Sequence, residues 1–110
     1  MTTSKIIEIV ENANFEKLLT KAFGKKKAKT MMYGTKKGNY QSDMVNYALM
    51  VNVETDNIFI LNYAENGNGW AKIAESQNPW ICIGYVSACD IQSGLAKDYI
   101  IDMLESKECN

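Results

Sequence analysis

Apolar positions along the chain change period twice, from helical to alternating and back, and those changes divide it into elements. Ile6, Ile7, Ile9 and Val10 fall on one side of a helical wheel, and Ser4 ahead of them has the side chain of an N-cap. Asn12-Ala13-Asn14 interrupts the run. Phe15, Leu18, Leu19, Ala22 and Phe23 then resume at three- and four-residue steps, predicting either one helix bent at the asparagines or two short ones. Gly24 is a natural stop, and Lys21, Lys25 and Lys26 suit the negative end of a helix.

Beyond the stop the period becomes two. Lys29 to Thr35 reads as a short strand and Lys36-Lys37-Gly38-Asn39 as its turn. Val45, Tyr47, Leu49, Val51 and Val53 alternate with a mixed set, predicting the clearest strand of the chain. Thr55-Asp56-Asn57 is a turn signal, and Ile58 to Tyr63 returns as a strand. Asn66-Gly67-Asn68-Gly69 carries two overlapping Asn-Gly steps, which favour a tight hairpin. Trp70 to Glu75 and Trp80 to Ser87 are the last two strands. Ser93 then caps a closing helix with Leu95, Ala96, Tyr99, Ile100, Met103 and Leu104 on its apolar face.

The order predicts an α+β fold. One N-terminal helix (or two short ones) precedes about five short antiparallel strands in a strongly curved sheet or partial barrel, with a C-terminal helix. Its 110 residues match one domain. Residues 1–24 are expected helical, 29–87 β-rich and 93–107 helical. No apolar run approaches membrane-spanning length and the N-terminus has no signal-peptide pattern, so a cytoplasmic protein without membrane contact is expected.

Net charge is −1, but it is unevenly distributed. Residues 25–37 hold Lys25, Lys26, Lys27, Lys29, Lys36 and Lys37 with no acid, whereas most carboxylates follow Gly38. Such segregation attracts partners of either sign, or a second copy in a homodimer. The lysines can meet phosphates or an acidic protein, with Tyr33 and Tyr40 nearby to stack on bases. The first reading of the cluster, however, is a solvated loop and a lysine-guarded edge strand. The sequence contains no arginine, so bidentate reading of phosphates or guanine edges is not available.

Histidine is also absent, which removes the usual base at neutral pH and the usual activator of a thiol nucleophile. Cys82, Cys89 and Cys109 are an odd set without metal-site spacing, expected as reduced thiols. No phosphate-cradling glycine loop is present. The expectation is a protein that is not an enzyme and takes neither cofactor nor metal.

Asn68-Gly69-Trp70-Ala71-Lys72-Ile73 and Gly84-Tyr85-Val86-Ser87 give residues 66–91 a resemblance to the second half of bacterial Src-homology-three-like domains. The resemblance implies a small, strongly curved sheet whose closing strands end near a short helical turn. Trp70, beside Lys72 on one face and with Tyr63, Glu65 and Tyr85 close by, reads as a recognition patch, since tryptophan and tyrosine are enriched in binding hot spots. The favoured reading is a non-catalytic protein that occupies a macromolecular partner's surface, by analogy with inhibitors, immunity proteins and mobile-element (including phage) proteins. A protein is the favoured partner. The alternatives are weak, lysine-dependent nucleic-acid binding through residues 25–37 and a small-ligand sponge.

Overall fold

A computed structural model of the protein describes residues 2–34, 45–52, 54–61 and 80–108. The described residues form an α+β fold of five helices and an open, three-stranded antiparallel sheet. The N-terminal expectation resolves into two helices. In α1 (Thr3–Asn12) the cap is Thr2, whose Oγ1 accepts from the Lys5 N–H at 3.2 Å. Ser4, expected in that role, lies inside the helix. In α2 (Phe15–Phe23) Asn14 Oδ1 accepts from the Lys17 N–H at 3.1 Å. The asparagine that interrupts the first apolar run therefore starts the second. Ile6 and Val10 bury from α1, and Phe15, Leu19 and Phe23 bury from α2.

The expected strand over residues 29–35 is corrected, for Lys25–Tyr33 is a third helix, α3. Ala28, Met31 and Met32 supply a buried stripe at helical spacing. Lysine, alanine and methionine are all good helix formers, so propensity and periodicity agree. Gly24 turns the chain between α2 and α3 at φ +90°, ψ 155°, a region open essentially to glycine.

Strands β1 (Tyr47–Asn52), β2 (Ile58–Ile60) and β3 (Trp80–Val86) form the sheet in the order β2-β1-β3. Leu49 pairs with Ile60 on one side and Gly84 on the other. The β1–β2 turn is fixed by Asn52, whose Oδ1 accepts from the Glu54 and Thr55 N–H groups at 3.0 and 3.1 Å. Asp56 takes φ +60° there and reaches Lys5 of α1 in an exposed ion pair of 3.4 Å. The expected total of about five strands in a partial barrel is corrected to this open sheet. One of the five is α3, and the strand expected over 70–75 lies outside the described residues.

Period-two alternation puts Tyr47, Leu49 and Val51 on the face that meets the helices, in one cluster with Leu19, Phe23, Ile60, Ile83 and Val86. Ala48, Met50 and Leu61 are buried on the opposite face, where Phe59, Trp80 and Cys82 pack against them. Trp80 is half-buried and meets Phe59 edge-on at 4.7 Å. Each large apolar side chain so buried stabilises by roughly 1.5–3 kcal/mol.

The expected closing helix is two. Ser87 caps α4 (Ala88–Ser93), accepting from the Asp90 N–H at 3.1 Å, and Gly94 ends it in the left-handed region. A second helix, α5 (Ala96–Glu108), follows. Ser93, expected as an N-cap, instead closes α4, its hydroxyl donating to the Asp90 carbonyl at 3.1 Å. Among the described residues no helix is long and apolar enough to cross a membrane.

Helix α5 rests on β3 at a β-bulge. Leu49 faces Gly84 and Met50 faces Cys82, leaving Ile83 as the extra residue. A Cβ on Gly84 would sit 2.5 Å from Ile100 Cδ1 and 2.9 Å from Met103 Cε. Gly84→Ala is therefore expected to cost about 1–3 kcal/mol. Ile100→Val, which deletes the methyl that the new Cβ meets, should make the double variant more stable than the two single losses predict. Urea melts of the four proteins check this; strict additivity would remove the steric explanation.

Candidate partner-binding face

The most strongly charged element among the described residues is α3. Ala28, Met31 and Met32 turn inward, so the opposite side of the helix faces solvent. Lys25, Lys29 and Tyr33 recur every four residues and share that side, with Lys26 and Thr30 beside them; all five are exposed. Helix α3 contains no acid. Lys25, Lys26 and Lys29 form no ion pair among the described residues. At the flank, Lys27 Nζ lies 5.3 Å from the centre of the Phe23 ring, in cation–π range. An open recess of about 550 Å³ runs along this corner, lined by Phe23, Gly24, Lys25, Lys26, Lys27 and Thr30.

Helix physics disfavours this arrangement. The N-terminus of a helix carries partial positive charge and four unbonded N–H groups, and favours acids and side-chain caps. Here the cap position is Gly24, which has no side chain to offer, and the first turn is Lys25-Lys26-Lys27. Lys25 and Lys29 also repel one another at i,i+4. Backbone geometry accounts for the glycine and the Phe23 ring gives Lys27 a neighbour, whereas among the described residues no ion pair engages Lys25 or Lys26.

The other predicted residues divide in two groups. Tyr85 is 61% exposed on β3, where alternation sets it on the sheet face away from the helices. Trp70, Lys72, Tyr63 and Glu65 lie outside the described residues, as do Lys36, Lys37 and the Asn-Gly hairpin. The patch assigned to them therefore lies outside the described residues, apart from Tyr85. Of the segments behind the Src-homology-three-like resemblance, Gly84-Tyr85-Val86 ends β3 and Ser87 caps α4, while residues 68–73 are outside the description.

A second exposed face was hidden in the sequence. The sequence pattern sets Leu95, Tyr99 and Met103 with Ala96, Ile100 and Leu104 on one apolar side, but only the latter three are buried. The others form an exposed stripe along α5, and Asp98, Asp102 and Glu105 form an exposed ridge beside it. The signal was the width of the apolar arc, which is greater than one packed face requires.

Cys82 and Cys89 are half-buried free thiols. Cys82 Sγ donates to the Gly84 carbonyl at 3.4 Å. Among the described residues, no three His, Cys, Asp or Glu side chains gather as a metal site. The chain matches no family model, no curated protein and no solved structure.

If the lysines are retained at a cost to α3, removing one should stabilise the fold. Lys25→Glu exchanges a repelled charge for one favoured by the helix end and creates an i,i+4 pair with Lys29. The expected gain is about 0.5–1 kcal/mol in urea melts. A loss of stability would instead make Lys25 part of the fold's own support.

Proposed function

We propose that the protein is a non-catalytic binding protein that occupies the surface of an acidic protein partner through the outward side of α3. The observation that carries this reading is the run of exposed lysines at Lys25, Lys26 and Lys29, on a helix without acids and at an end where local energetics oppose them. Residues that work against their own element are the mark of a site kept for contact with something else. Tyr33, 46% exposed on the same side, adds apolar area with a polar tip, and the phenylalanine floor of the neighbouring recess adds more. Lysine ammonium groups act as mobile point charges, so the face suits a broad acidic surface better than one fixed carboxylate.

A second reading, weak nucleic-acid binding, is favoured by the same tyrosine, since an exposed ring beside lysines can stack on a base. It is separable by its salt dependence. Four phosphates held by Lys25, Lys26, Lys27 and Lys29 on duplex DNA would give a log–log salt slope of about −3.6.

Capture from an extract of the source cell, with wild type and a Lys25→Ser/Lys26→Ser/Lys29→Ser variant as paired baits, tests the proposal. The expected result is an acidic protein retained by wild type, released by raised salt and missing from the variant, with circular dichroism unchanged. Equal retention by both baits would remove α3 from the site. Retained nucleic acid with the steep slope would move the reading to the second alternative.

A further inference from the structure

The chain carries on α5 an acidic, partly apolar surface of the kind that α3 is suited to meet. Asp98, Asp102 and Glu105 repeat at i, i+4 and i+7, and Lys25 and Lys29 repeat at i, i+4, so the charges rise along both helices in matching steps. Beside the acidic ridge runs the stripe of Leu95, Tyr99 and Met103, exposed by 42%, 53% and 36%. Beside the lysines stands Tyr33. Within one molecule the two helices pack on different elements, so these exposed surfaces do not meet. Helix α3 packs on α2 and α4, whereas α5 packs on α1 and β3. Neither Lys25, Lys26 and Lys29 nor Asp98, Asp102 and Glu105 form ion pairs among the described residues.

We infer that a second copy of this chain docks its α5 face on α3, pairing Asp98 and Asp102 with Lys25 and Lys29 and covering Tyr99 and Met103 with Tyr33. This deepens the proposed function and rests on its reading of α3 as a contact face. Two different patches meet, so the contact is heterologous and can propagate from copy to copy unless a symmetric arrangement closes it. Helices of about two and a half and three and a half turns bury less than the roughly 1,200 Å² of a stable complex. Association is therefore weak, reversible and sensitive to salt. A partner with a denser acidic surface competes for the same lysines and displaces the second copy, so self-association holds the binding face in reserve.

Sedimentation velocity over a concentration series, at low and at high salt, measures the contact. Wild type should show a sedimentation coefficient that rises with concentration at low salt and much less at high salt. Lys25→Glu/Lys29→Glu and Asp98→Lys/Asp102→Lys should each weaken association by about tenfold or more. The two variants mixed together should associate again, as should the chain carrying all four changes, because each restores opposite charges across the contact. Lys25→Gln/Lys29→Gln and Asp98→Asn/Asp102→Asn give the same losses if a reversal harms folding. Absence of concentration dependence in wild type, or failure of the mixture to recover it, overturns the inference. The proposed function is tested apart from it, since Asp98→Lys/Asp102→Lys keeps its lysines and should still capture the external partner.

Discussion

Burial of β1 on both faces is the constraint on which the rest of the described structure depends. Tyr47 to Val51 are all buried, with Leu49 and Val51 fully so on the helix side and Ala48 fully so on the other. A strand in that position cannot satisfy its backbone with water, so both edges must be paired, and β2 and β3 supply the pairs. Once that is done, the helix-side face offers Tyr47, Leu49 and Val51 as a floor. Phe23 at the end of α2 meets Tyr47 edge-on at 5.0 Å, fixing where α2 stops and hence where α3 begins. The lysine face is therefore positioned by the Phe23–Tyr47 pair, the Gly24 corner and the burial of Ala28, Met31 and Met32 in the core shared with the sheet.

The C-terminal helices depend on the same strand through β3. The bulge opposite Leu49 and Met50 brings Gly84 under α5, and the missing side chain lets Ile100 and Met103 approach the backbone. Helix α5 is tied from its other side by Lys97, whose Nζ donates to the Glu11 carbonyl at 2.9 Å and lies 5.9 Å from the Phe15 ring. With its inner side and start so held, its outer side is left to Tyr99 and the carboxylates, with Met103 at the border, its methyl over Gly84 and the rest exposed. The two charged faces are by-products of one packing solution, but their residue types are not dictated by it.

Much of the fold was legible in the sequence where periodicity was unambiguous. Phe15, Leu19 and Phe23 announced α2, and the alternation from Tyr47 to Val51 announced β1. Asn14 interrupts the apolar pattern yet caps α2, because a capping asparagine and a helix-breaking one look alike without geometry. Residues 29–33 misled because Thr30 and Tyr33 favour strands and the stripe of α3 is only three residues, one of them alanine. Helix α4 was missed since six residues cannot show a period, although Ser87 followed by Asp90 resembles a capping pair. The lysines themselves were plain in the sequence. Their presentation on one side of a helix was not, since it depends on α3 replacing an expected loop and strand. The exposed stripe on α5 was concealed by a pattern that fits a wider buried face equally well.

The proposed function is electrostatic at its centre: the basic face of α3 would meet an acidic surface. Amide hydrogen exchange across 25–33, with and without the acidic partner captured from the source cell, tests that most directly. Exposed helix ends exchange readily by local opening, and a partner lying along the lysine side would slow them. The account predicts new protection concentrated in α3, lost in the Lys25→Ser/Lys26→Ser/Lys29→Ser variant. Protection confined to other elements, with exchange in α3 unchanged on binding, would contradict it.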